Sequence, residues 1–120
     1  MKIPGSLFSI ALLLLMCNCK HAVKYDCSGY TPVYTKNVAD TVDKSVETLL
    51  KNVCTNTGCH VGGDIDLSTY AGASAASKKK SFMGSVQHMP FYQKMPQGGG
   101  RLPDSQIHLL SCWIENGSPQ

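Results

Sequence analysis

A chain of 120 residues with 42% apolar and only 8% aromatic side chains has room for one small domain. Its core is thin enough to need help from a disulfide, a metal or a large cofactor. The formal charge of +3 is small and scattered, which excludes the dense basic face of a nucleic-acid-binding domain.

The N-terminus carries Lys2 and then the ten-residue apolar run Leu7–Met16. A helix of that length cannot cross roughly 30 Å of hydrocarbon, but it suits the h-region of an export signal. Residues 1–18 are therefore expected to be a signal peptide. The run ends in "MCNCKH", and a cysteine directly after an export signal resembles a bacterial lipoprotein cleavage site. Cys19 is the expected lipidated residue, with Cys17 as the alternative; an ordinary signal peptide cleaved nearby is the plainer possibility. Lipid chains anchor by about 0.8 kcal/mol per buried CH₂, so the expected place is the cell envelope, periplasmic side, tied to a membrane.

Residues 19–34 are polar, with Gly and Pro and no helical period, and read as a tether leading into an ordered segment around Cys27. From Thr35 the residues Val38, Val42, Val46, Leu49, Leu50 and Val53 recur at spacings of three and four, the stripe of an amphipathic helix. That helix runs into "CTNTGCH", residues 54–60. A Gly pair then makes a turn, and Ser68 is placed to cap a short helix from about Thr69. Lys78, Lys79 and Lys80 form a basic run, read as solvated surface or as a docking site for an acidic partner. Residues 81–102, rich in Gly, Pro, Gln and Met, read as a loop long enough to suggest a function. The last element, "LPDSQIHLLSCWIENG", is a helix with Pro103 in its first turn, an apolar face of Ile107, Leu109, Leu110, Trp113 and Ile114, and Gly117 as its stop. No stretch alternates as a strand, so the fold class is all-α.

Beyond the signal lie Cys27, Cys54, Cys59 and Cys112. In an oxidising compartment they are expected as disulfides, cofactor attachments or one of each; two disulfides among four cysteines allow three connectivities. Covalent haem attachment needs two thiols to add to the vinyl groups on one porphyrin edge and an imidazole that reaches the iron. Cys54, Cys59 and His60 supply all three. Four residues separate the cysteines where the common attachment pattern has two. The intervening "TNTG" is small and polar and ends in glycine, so it can loop out without burying apolar surface. A zinc site using Cys54, Cys59, His60 and His88 is a weaker alternative, because no second closely spaced ligand pair supports it. For the far side of the iron, a neutral, soft thioether raises the reduction potential. Met83, Met89 and Met95 are the candidates, and His88 could replace them. Met89 and Met95 are each followed by proline, and Met95 opens "MPQGGGRL" just before the last helix.

The order helix, Cys…Cys-His, Gly-rich turn, Tyr, long loop, Met-Pro-x-Gly-Gly, Leu and a helix ending Trp-Ile-x-x-Gly resembles a small class I cytochrome c domain. It is most similar to single-haem cytochrome c-like lipoproteins of bacterial envelopes, over roughly residues 34–118. The resemblance implies a cytochrome c-like domain at 35–120 with one covalent haem c. Cys54 and Cys59 would be the thioether residues, His60 the proximal ligand and Met95 the distal one. It also implies Trp113 packed near the haem or the N-terminal helix, and Tyr70 at the aromatic position of the middle segment. The two terminal helices of such domains cross in contact, which makes a Cys27–Cys112 disulfide reasonable. The expected function is one-electron transfer, with no catalytic acid–base pair or nucleophile and an unknown redox partner protein. The alternative from another class is a disulfide-stabilised envelope lipoprotein that binds a partner and holds no cofactor.

Overall fold

The computed structural model describes residues 22–35 and 45–120. The signal segment, Cys17 and Cys19, and Val38 and Val42 of the predicted first helix lie outside the described residues. Within them are four α-helices: α1 (Val46–Val53), α2 (Tyr70–Ser77), α3 (Lys80–Val86) and α4 (Asp104–Glu115). The extended backbone contributes only an isolated bridge between Val33 and Ser45. No helix among the described residues is long and apolar enough to cross a membrane.

α1 starts where its orphan amides find acceptors. Ser45 Oγ accepts from the Thr48 amide at 3.3 Å. The carbonyls of Val33 and Tyr34 take the amides of Val46 and Glu47 at 3.0 and 2.9 Å. The stripe Val46, Leu49 and Leu50 is buried, while Glu47 and Lys51 pair on the outer face at 2.6 Å. α4 buries Ile107, Leu109, Leu110, Cys112 and Trp113 and packs against α1. These two helices hold the core.

α4 ends in a Schellman arrangement. The Gly117 amide donates to the Ile114 carbonyl at 3.0 Å, and the Ser118 amide to the Trp113 carbonyl at 2.8 Å, with Gly117 at φ +85°. The chain then turns back over the core. The Pro119 carbonyl accepts from Trp113 Nε1 at 2.8 Å and from the Tyr34 amide at 3.1 Å. The Ser118 carbonyl accepts from the Tyr70 hydroxyl at 3.0 Å. Tyr34 contacts both the Tyr70 ring and the Trp113 indole. Trp113 is therefore fully buried among aromatics at the α1–α4 junction.

The segment before α1 is fastened to the domain along its described length. Val23 exchanges two hydrogen bonds with the Gln87 side chain, at 3.1 and 3.3 Å. The Tyr25 hydroxyl reaches Asp104 at 3.2 Å, and Asn116 Nδ2 donates to the Tyr30 carbonyl at 3.1 Å. His108 stacks on Tyr25 and bonds the Asp26 carbonyl at 2.9 Å. Cys27 forms a disulfide with Cys112, across 85 positions of sequence.

Two local expectations need correction. The α2 cap is Thr69, whose hydroxyl accepts from the Gly72 amide at 3.2 Å; Ser68 instead bonds Asp66, whose carboxylate takes the Ser68 amide at 2.9 Å. The expected loop at 81–102 contains most of α3. The helix begins inside the lysine run, with Lys78 closing α2 and Lys79 opening α3. α3 has only seven residues and no side-chain cap, so nothing local announces it; the ring of Tyr92 packed on Gly84 supports it instead.

Gly72 matters for a different reason. A Cβ there would collide with the backbone carbonyl of Asp66, and backbone cannot swing aside as a side chain can. Gly72→Ala is expected to lower stability by about 1–3 kcal/mol, the usual cost of overpacking. A urea melt checks this; an unchanged midpoint would contradict the close approach.

Candidate functional site

Residues 54–60 answer the spacing question raised by "CTNTGCH". α1 delivers Cys54, whose amide still donates to the Leu50 carbonyl at 2.8 Å. Asn56–Gly58 then form a single 3₁₀ turn. The turn closes when the His60 amide donates to the Cys54 carbonyl at 3.1 Å. Gly58, at φ +78°, supplies a left-handed conformation that a side chain at this point would resist. The two residues in excess of the short pattern are thus absorbed in a tight turn, and Cys59 and His60 return beside Cys54.

His60 is held at both backbone polar groups. Besides its amide, its carbonyl accepts from the Leu67 amide at 2.9 Å. That bond draws the segment 61–67 back over the site and brings Ile65 and Leu67 to it. The hydrogen bonds from Ser68, its hydroxyl first and its amide second, hold the Asp66 carboxyl below the usual carboxylate range and fix the turn into α2.

A cavity of about 310 Å³ opens between these elements. Its walls include Cys54, Cys59 and His60 and, from the loop between α3 and α4, Met95. Val53, Ile65, Leu67, Phe82, Val86 and Leu102 supply apolar surface. The volume lies at the low end of the roughly 300–1,000 Å³ usual for ligand sites, and apolar walls with a few convergent polar groups are typical of such sites. Lys79, from the basic run, stands at the same cavity.

The other candidates fall elsewhere. Met83 and Met89 do not line the cavity, nor does His88. His88 Nε2 instead meets the Met95 carbonyl at 3.0 Å. Trp113 and Tyr70 are core and tail contacts rather than cavity walls. Among the described residues, the His, Cys, Asp and Glu donors that gather within 4.8 Å of one another are Cys27, His108 and Cys112. Two of these are tied up in the disulfide. Cys54, Cys59 and His60 surround a cavity and do not converge on a point, which is the wrong arrangement for a tetrahedral zinc centre.

Cys54 and Cys59 are outside the disulfide. Burial, with a smaller contribution from nearby Cys59, pushes the Cys54 thiol up to about 11. Cys59 is exposed. The thiolate is the reacting form, so a raised value means less thiolate near neutral pH. In the unmodified protein, Cys59 is therefore expected to alkylate at least tenfold faster than Cys54 at pH 8. Peptide mapping after timed iodoacetamide treatment checks this, and equal rates would contradict the burial difference.

Comparison with protein-family models, curated proteins and solved structures finds no significant match. The chemistry of the site rests on its own residues.

Of the cavity walls, sequence reasoning singled out Cys54, Cys59, His60 and Met95. It missed Ile65, Phe82 and Val86, and the engagement of His88. Phe82 and Val86 belong to α3, the helix that carries no local signal.

Proposed function

We propose that this protein is a mono-haem c-type cytochrome that transfers electrons, anchored to the cell envelope through a lipid on Cys19 or Cys17. The single observation that carries the reading is the cavity, where two thiols, an imidazole and a thioether from distant parts of the sequence share one apolar-walled space. That donor set fits haem c. Cys54 and Cys59 supply the thioether bonds, His60 the proximal ligand and Met95 the distal one. When bound, the group supplies a one-electron couple between Fe(II) and Fe(III).

The chain's own residues do the rest. The 3₁₀ turn and the bonds at both ends of the His60 peptide fix the backbone from which the imidazole projects. Val53, Leu67, Phe82 and Val86 give the site apolar walls, surroundings that suit a neutral, soft ligand such as methionine. The contact of α1 with α4 and the disulfide beside it agree with the class I cytochrome c resemblance. A cofactor-free binding module accounts for the disulfide equally well, but it leaves the gathering of Cys54, Cys59, His60 and Met95 without a purpose.

The test is direct. Protein purified from a host that matures cytochromes c is expected to show sharp visible bands in the reduced-minus-oxidised spectrum and to retain haem on a denaturing gel. No band and no retained haem would sink the electron-transfer reading in favour of the binding module.

A further inference from the structure

We propose that His88 is a positioning residue, whose imidazole clamps the Met95 backbone so that the thioether stays presented to the cavity. The inference rests on the electron-transfer reading for what the thioether meets; the clamp itself rests on the contacts alone.

α3 ends in a knot of hydrogen bonds around Ser85. The Ser85 carbonyl accepts from the His88 amide at 3.2 Å and, seven residues further on, from the Met95 amide at 3.1 Å. The Met89 amide turns back to the Gly84 carbonyl at 2.9 Å. His88 lies at φ +56°, a left-handed conformation that few residues other than glycine, asparagine, aspartate and histidine accept. It turns the chain out of the helix and opens the loop to Met95. Its ring then closes that loop on the Met95 carbonyl at 3.0 Å. A carbonyl oxygen can only accept, so Nε2 carries the proton.

Little else could hold the strap. Phe91, Gln93 and Lys94 are exposed, Phe91 completely so, and the stretch has almost no apolar cover. Pro96 has no amide to tie down the following peptide. Among the described residues, no backbone amide of the loops donates to the Met95 carbonyl, and the His88 ring supplies its donor. Two further fastenings set the frame in which the ring works. Tyr92 packs its ring on Gly84, and Gln87 is held on both sides of its amide by Val23. With amide and carbonyl both bonded, the Met95 peptide is held at both of its polar groups, as that of His60 is.

Two variants of the full-length, haem-loaded protein separate the clamp from general folding. His88→Gly keeps the left-handed backbone and removes the ring; His88→Gln restores an amide donor of similar reach. Carbon monoxide, added to the ferrous protein, competes with the distal ligand. It is expected to bind His88→Gly at least tenfold faster than wild type, with loss of the red charge-transfer band of a ferric thioether complex. His88→Gln is expected to return the rate to within threefold and to restore the band. Hydrogen exchange at the Met95 amide, followed in protein with or without haem, is expected to speed up at least tenfold in His88→Gly. It should recover in His88→Gln.

An unchanged band, carbon monoxide rate and exchange rate in His88→Gly would overturn the proposal. So would a defect that His88→Gln fails to repair while its Met89 amide, bonded across the same turn, exchanges as slowly as in wild type, because the turn would then be intact and the donor not the working part. Failure of the wild-type chain to take up haem refutes the electron-transfer reading and the ligand-presenting role with it. The exchange measurement still decides whether the clamp exists.

Discussion

Met95→His is expected to leave the haem covalently attached while lowering the midpoint potential by about 0.1–0.3 V, a part of the ~0.8 V span that axial ligands command. A thioether is a weak donor that favours Fe(II); imidazole donates more strongly and favours Fe(III). At roughly 59 mV per tenfold change for one electron, the expected shift alters the reduced-to-oxidised ratio at fixed potential by about two to five orders of magnitude. The backbone of Met95 is bonded at both its amide and its carbonyl, so the new side chain starts from the same anchor. Met95→Ala is expected to keep the attached haem and lose the thioether charge-transfer band. A potentiometric titration beside a haem-stained gel checks both. An unchanged potential in Met95→His would remove Met95 as the distal ligand, and loss of haem from Met95→Ala would mean that the residue serves attachment.

Removing the Cys27–Cys112 bridge is the second large perturbation. Its 85-residue separation places the stabilisation near about 4.6 kcal/mol in the chain-entropy model, and removal of native bridges in small secreted domains costs roughly 2–5 kcal/mol. For a domain of this size each kcal/mol moves the melting temperature by about 4–8 °C. Cys27→Ala with Cys112→Ala is therefore expected to lower it by well over ~10 °C. Cys112 is fully buried in α4, so part of that loss comes from packing. Treating the unaltered protein with a reductant separates the parts, because it opens the bridge and leaves both side chains in place. A calorimetric scan that shows no change on reduction would show that the belt around Tyr25, Asp26 and His108 carries the N-terminal segment without the bridge.

How far these features could be read from the sequence depended on what each element rests upon. α4 was legible because its apolar positions repeat at the helical period and because Gly117 marks its end. The described part of α1 followed its stripe for the same reason. α3 was not legible, since it is short, contains Gly84 and has no cap; it depends on Tyr92, which comes from the loop that follows. The cap of α2 fell one residue beyond Ser68, because Asp66 captures the Ser68 hydroxyl and amide in a local turn. In the candidate site the donors announced themselves by residue type, and Cys54, Cys59, His60 and Met95 line one cavity. By residue type His88 reads as a candidate iron ligand. Its contact with a peptide carbonyl has no sequence signal, because any residue can offer that acceptor.

The bridge between Cys27 and Cys112 also sets a schedule for making the protein. A chain that emerges N-terminus first releases Cys27, Cys54 and Cys59 well before Cys112. The nearest partners in sequence are Cys54 and Cys59, and short loops close fastest. An oxidant acting on the nascent chain meets these thiols before Cys112 is made, and the quickest pairing among them would take both sulfurs from the proposed haem site. Cys27 cannot find its partner until the final helix has been delivered. Correct pairing thus requires late oxidation or reshuffling, and α4, made last of the described elements, decides the fate of Cys27.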